Sequence, residues 1–180
     1  MTLNVFRPSG VSSNALLPVM VWIYGGGFLE GVAATSDASA IIAQSVLRVS
    51  SLMLLPVFHS TCCSQGTPVV YVSLNYRLGP FGFPQGTEAD TRGAVNLGLK
   101  DQLTGLQWLK NHIRAFGGDP EKVRLFVYRS YSRVLTPLFS KVMLFGQSAG
   151  AISIADLYLN SGLENFVRGA VSSYTQPLSL

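Results

Sequence analysis

At 180 residues, 48% hydrophobic and only 12% charged, the chain is long enough to bury a core and too apolar to be a disordered segment. Its formal charge is +4, but five basic residues, Arg48, Arg124, Arg129, Arg133 and Lys141, fall in two anomalous segments, and without them the balance is −1, which speaks against nucleic acid or an anionic membrane as partner. No apolar stretch reaches the ~20 residues that span a bilayer, the start Met1-Thr2-Leu3-Asn4-Val5-Phe6 lacks the regions of a signal peptide, and the adjacent Cys62 and Cys63 form neither a metal spacing nor a disulfide framework.

Taken in order, Val19-Met20-Val21-Trp22-Ile23-Tyr24 is an apolar run rich in β-branched and aromatic residues that stops at Gly25-Gly26-Gly27-Phe28, which predicts a buried parallel strand feeding a loop. Ser36 or Asp37 can cap a helix from Ala38 to about Val46. Val69 to Leu74 predicts a second buried strand, left through the loop Asn75-Tyr76-Arg77-Leu78-Gly79-Pro80. A long helix is expected from about Leu97 to Phe116, with Leu99, Leu103, Leu106, Leu109 and Ile113 at core spacing and Gly117-Gly118 ending it. Val142 to Phe145 is the third strand, a helix follows from Ala149 to Leu159, and a fourth strand opens near Arg168 to Ser172. Strands alternating with helices imply a parallel α/β sheet, and no linker divides the 180 residues into two domains.

Within this pattern Phe145-Gly146-Gln147-Ser148-Ala149-Gly150-Ala151 places a G-x-S-x-G where a strand turns into a helix, the setting of a nucleophile elbow. Its two glycines have a mechanical reason, since side chains two residues either side of Ser148 would collide in so sharp a turn. Ligands in such sheets bind at the carboxyl ends of strands, where both Ser148 and Gly25-Gly26-Gly27 fall. Acyl transfer needs a nucleophile and backbone N–H groups aimed at the developing oxyanion, and a glycine loop exposes such groups. A phosphate cradle is the competing reading of the triple glycine, but no Gly-Lys-Ser/Thr follows it and no acid stands at ribose-binding distance.

Six ordered stretches now carry a resemblance. Leu3-Asn4-Val5-Phe6-Arg7-Pro8, Val21 to Phe28, Asn75 to Phe83, Asn96 to Gln102, Phe116-Gly117-Gly118-Asp119-Pro120 and the elbow are similar to the type-B carboxylesterases and lipases of the α/β-hydrolase superfamily, the group that includes cholinesterases, with fungal lipases nearest in flavour. The resemblance implies a partial α/β-hydrolase fold, a mostly parallel sheet with flanking helices, and hydrolysis of small-molecule or lipid carboxylic esters without cofactor or metal. It makes Ser148 the nucleophile, assigns the oxyanion hole to the N–H groups of Gly26, Gly27 and Ala149, and makes Arg77 and Asp119 a structural ion pair. Gln147 stands where many members have Glu, so a cationic substrate is disfavoured.

In this family the triad acid and histidine follow the elbow far downstream. The only histidines, His59 and His112, precede Ser148, and Glu164 matches no triad position, so neither triad partner is expected in this chain and little turnover is expected of it alone. The resemblance further implies truncation at both ends, and relatives are often secreted. Two segments are surplus: joining Leu47 to Gly66 and Lys122 to Val142 restores family-like connections, so residues 48–65 and 123–141 are read as insertions, either short introns translated in frame or surface loops. Two further functional readings stand beside the esterase: a non-catalytic cholinesterase-like binding module, and an incomplete gene product without a stable fold, since half a parallel sheet exposes an edge.

Overall fold

The computed structural model describes residues 1–12, 14–46, 67–120, 124–125, 142–160 and 170–173. Its strands are β1 (Leu3–Phe6), β2 (Val19–Ile23), β3 (Val70–Leu74), β4 (Arg124–Leu125), β5 (Val142–Gln147) and β6 (Ala170–Ser173). They form one sheet in the order β1-β3-β2-β5-β4, with β6 also paired to β5. β2 runs parallel to both β3 and β5, and β4 and β6 run parallel to β5. Among the described strands β1 alone is antiparallel, pairing Leu3 with Leu74 and Phe6 with Tyr71. The sheet is therefore mostly parallel, as expected, with one edge strand that its short polar-interrupted sequence did not announce.

Helices α1 (Ser39–Val46), α2 (Gly79–Gly82), α3 (Thr87–Thr91), α4 (Leu97–His112) and α5 (Ala149–Asn160) complete the described elements, with 3-10 turns at Ala33–Thr35 and Ile113–Phe116. Asp37 accepts the backbone N–H of Ser39 at 2.9 Å and so anchors the start of α1. Gly117, at φ 84, closes the turn after α4 in the left-handed conformation a side chain resists.

Strand alternation divides the core. Val19, Val21 and Ile23 of β2, Val70, Val72 and Leu74 of β3 and Leu144 of β5 pack in one cluster with Leu106 and Leu109 of α4, Ile113, and Ile154 and Leu157 of α5. Gln102 of α4 is buried among them and donates to Ser153 of α5 at 3.0 Å, joining the two helices. The opposite face carries Phe6, Tyr71, Phe145 and Trp22 in an aromatic row with centroid separations of 5.9, 5.8 and 4.8 Å. There the Ser73 hydroxyl donates to the carbonyl of Ala33 at 3.4 Å and the Val69 N–H reaches Ser45 of α1 at 3.4 Å, so the 3-10 turn and α1 cover this side.

Residues 48–65 lie outside the described residues, and so does 123–141 apart from Arg124 and Leu125. Those two form strand β4, whose Arg124 pairs with Met143 and Leu125 with Leu144. The pairing exposes a repeat within the sequence: Lys122-Val123-Arg124-Leu125-Phe126 and Lys141-Val142-Met143-Leu144-Phe145 differ only at their third residue. Equivalent residues of the two copies stand side by side, because equal patterns of alternation match in register.

Candidate active site

The site is assembled at the carboxyl ends of β2 and β5. Gln147 ends β5, Ser148 stands alone at the junction, and Ala149 begins α5. Ser148 has φ 52, a left-handed conformation that costs a non-glycine residue about 1–2 kcal/mol and is kept only where surrounding structure imposes it. Its carbonyl accepts the N–H of Ile152 at 3.0 Å, the first bond of α5, so the N–H groups of Ala149, Gly150 and Ala151 lie ahead of the helical ladder. An elbow this sharp forces backbones together. A Cβ on Gly146 would stand 2.7 Å from the carbonyl carbon of Gly150, and one on Gly150 would strike the carbonyl of Ile23 and lie 2.8 Å from that of Tyr24.

The glycine loop reaches the same point from β2. A Cβ on Gly25 would stand 2.5 Å from the carbonyl oxygen of Gln147 and 3.1 Å from Ser148 Cβ, so the loop lies directly against the serine. Beyond it the chain turns through positive φ at Gly26, Gly27 and Phe28, and the Gly26 carbonyl accepts the N–H groups of Leu29 at 3.0 Å and Glu30 at 3.1 Å. A cavity of about 380 Å³ opens here, lined among others by Trp22, Gly25, Gly26, Ser36, Gln147 and Ser148. Gly27 and Ala149 belong to the two turns beside the cavity without lining it.

Two tyrosines lock the base of the loop. Tyr24 and Tyr76, both buried, stack at 4.7 Å and 19°. Each hydroxyl donates to the other's backbone carbonyl, Tyr76 to Tyr24 at 2.8 Å and Tyr24 to Tyr76 at 3.3 Å. Burial pushes the Tyr76 hydroxyl far above the ordinary phenol range and raises that of Tyr24, so both stay protonated donors at neutral pH. Burial likewise pushes Tyr71 up to about 12, offset in part by a hydrogen bond with Ser36.

The expected pairing of Arg77 with Asp119 is corrected. Arg77 pairs with Asp101 of α4, whose carboxylate accepts the Arg77 backbone N–H at 3.0 Å, Nε at 2.8 Å and Nη2 at 2.8 Å. The reason is the direction of α4, which starts at the carboxyl edge of the sheet beside Arg77 and ends at the amino edge. There Asp119 donates its N–H to Leu17 at 2.9 Å, ahead of β2. A five-residue strand, roughly 16 Å long, separates the two ends. The hydrogen bond from Arg77 holds the Asp101 carboxyl below its ordinary range, against partial burial. His112 ends α4, beside Trp108 at 4.9 Å, and so lies at the edge opposite Ser148. His59 and Glu164 lie outside the described residues. Tyr24, Tyr76 and Asp101 sit inside the family-like motifs, but only the packed structure shows what they touch.

A strand, a strained serine and a helix, with a glycine loop pressed against the serine, define the α/β-hydrolase class of site. The comparisons agree. A model of the carboxylesterase family matches residues 1–130. Lipase 2 of Geotrichum candidum is 40% identical over 167 residues, covering 93% of this chain and 23% of the lipase. The "inactive carboxylesterase-like protein VdtD" of Byssochlamys spectabilis is 38% identical over 128 residues, 70% of this chain and 19% of that protein. Among solved structures, the Geobacillus stearothermophilus carboxylesterase EST55 superposes with TM-score 0.65 at 28% identity, over 94% of this chain and 28% of its own. The chain belongs to the carboxylesterase family, and it spans about a quarter of the length of the curated lipases it matches. The family match stops before Ser148, four residues past the first copy of the repeated strand sequence, whereas the alignment with the lipase is long enough to pass the elbow.

Proposed function

We propose that this chain carries the nucleophile and the oxyanion loop of a serine carboxylic-ester hydrolase acting on small-molecule or lipid esters. Ser148 Oγ attacks the ester carbonyl, its proton passes to a base, and the tetrahedral oxyanion is held by backbone N–H groups of Gly26, Gly27 and Ala149. The alkoxide leaves with a proton, and water then releases the acyl group from Ser148. The observation that carries this reading is the left-handed Ser148 at the strand–helix junction with Gly25 packed against it. A purely structural turn has no need of a strained serine facing a glycine loop.

Neither histidine of the 180 residues serves as the base on this reading: His112 stands at the far edge of the sheet, and His59 belongs to an inserted segment. A relative named inactive shows that membership of the family alone does not decide turnover. Without its base, a triad hydrolase retains about 10³–10⁴-fold enhancement over water from the oxyanion hole and binding. The 180-residue chain is therefore expected to hydrolyse p-nitrophenyl esters orders of magnitude more slowly than a complete triad hydrolase, yet to be labelled slowly and once by a fluorophosphonate at Ser148. Mass spectrometry of the labelled chain and of Ser148→Ala checks this. Equal labelling of the alanine variant overturns the assignment of Ser148, and rapid turnover that vanishes in the variant overturns the claim that the base is missing.

A further inference from the structure

The segment Tyr76–Gly79 grips the glycine loop at both of its ends. Before the glycines, the Tyr76 hydroxyl donates to the carbonyl of Tyr24 at 2.8 Å; after them, the Gly79 N–H donates to the carbonyl of Phe28 at 2.7 Å. Gly25, Gly26 and Gly27 lie between these two carbonyls. We propose that Tyr76 is a positioning residue of the oxyanion loop, its hydroxyl setting the direction of the first loop peptide and Arg77–Asp101 fixing the segment from which it reaches.

The physical link is the planarity of the peptide. The carbonyl of Tyr24 and the N–H of Gly25 belong to one rigid unit, so holding the oxygen fixes the peptide plane from which the Gly26 and Gly27 peptides, the proposed donors, continue. That oxygen also faces α5, where only the absence of a Cβ at Gly150 lets it approach. One donor thereby ties together the end of β2, the glycine loop and the start of the elbow helix. The grip is stiff at its origin. Tyr76 is 4% exposed and stacked on Tyr24, and the next residue, Arg77, is held by three hydrogen bonds to a single carboxylate on α4. Nothing in acyl transfer requires Tyr76 to touch the substrate. Its effect on chemistry passes through the direction of backbone N–H groups.

This inference rests on reading Gly25–Gly27 as the oxyanion loop, and the test separates the two. Residue-level amide exchange and the rate of fluorophosphonate labelling at Ser148 are measured on the full 180-residue chain and on Tyr76→Phe and Tyr24→Phe. Tyr76→Phe removes one hydroxyl and keeps the stacked ring. It is expected to raise exchange at Gly25–Phe28 about tenfold and to slow labelling by a similar factor, while exchange in β2 and α4 is unchanged. Tyr24→Phe keeps the bond to the Tyr24 carbonyl and should shift loop exchange by no more than about twofold. Unchanged loop exchange in Tyr76→Phe overturns the proposal, as do equal effects of the two variants or a uniform rise across the whole sheet, since those mark a role in stability alone. If the parent chain is never labelled at Ser148, the hydrolase reading fails, and the exchange data still decide whether Tyr76 holds the loop.

Discussion

The helix-covered face of the sheet and its carboxyl edge are made by the same strands under different rules. On the face, Val21, Ile23, Val72, Leu144 and Ile154 are buried by volume and pattern, and each fully buried aliphatic side chain contributes roughly 1.5–3 kcal/mol. Such packing yields gradually, because a neighbouring apolar residue of similar size is tolerated. At the edge, stability comes from what is missing. Gly25, Gly146 and Gly150 sit where a single methyl would meet backbone atoms, and backbone cannot swing aside as a side chain can. The first region tolerates substitution in proportion to volume, while the second either fits or does not.

The sharpest way to break that contrast is Gly150→Ala. Its Cβ meets the carbonyls of Ile23 and Tyr24, so the elbow or the end of β2 must shift, at a cost of about 4 kcal/mol, with loss of Ser148 labelling. Urea unfolding and fluorophosphonate labelling check both halves, and a near-native variant would show the edge to be as yielding as the core. Ile154→Ala, on the buried side of the same helix, should cost about 3 kcal/mol through the cavity it leaves. Labelling of its folded fraction should persist, because Ile154 touches the face rather than the edge. Asp101→Asn should cost only about 1–2 kcal/mol, the pair being partly exposed. Its signature is in pH dependence. The Asp101 carboxyl is held below its ordinary range in the folded chain, so its contribution is complete above the usual carboxylate range and fades as pH falls through the lowered value. The parent should lose urea midpoint on acidification more steeply than the variant, and parallel slopes would remove Asp101 from the account.

Much of the face was legible in the sequence. The apolar runs of β2 and β3 begin and end within a residue of their expected bounds, and α4 follows its leucine spacing before tightening into the 3-10 turn at Ile113–Phe116. Leu3 to Phe6 carries a family motif in the sequence without a strand signal. Four residues that alternate Leu, Asn, Val, Phe carry too little signal, and only pairing with β3 defines them. β4 escaped for a related reason: its two residues look like part of an inserted segment until β5 stands beside them in register. At the site, Ser148 and the glycines were legible because the elbow demands those residue types at fixed spacing. Arg77 was recognised as one half of an ion pair, but its partner was misassigned, because Asp101 and Asp119 are both acids on a plausible stretch and only the direction of α4 tells them apart.

The amino-acid sequence by itself determined the α/β alternation, the family and the position of the elbow, since these depend on local periodicity and on residue types that a sharp turn cannot do without. Tertiary structure alone decided the antiparallel edge strand, the Arg77–Asp101 pair and the reciprocal hydrogen bonds of Tyr24 and Tyr76 at the base of the glycine loop. Each of these joins residues more than twenty positions apart, and no local pattern records which of several possible partners a folded chain will bring within hydrogen-bonding distance of a donor.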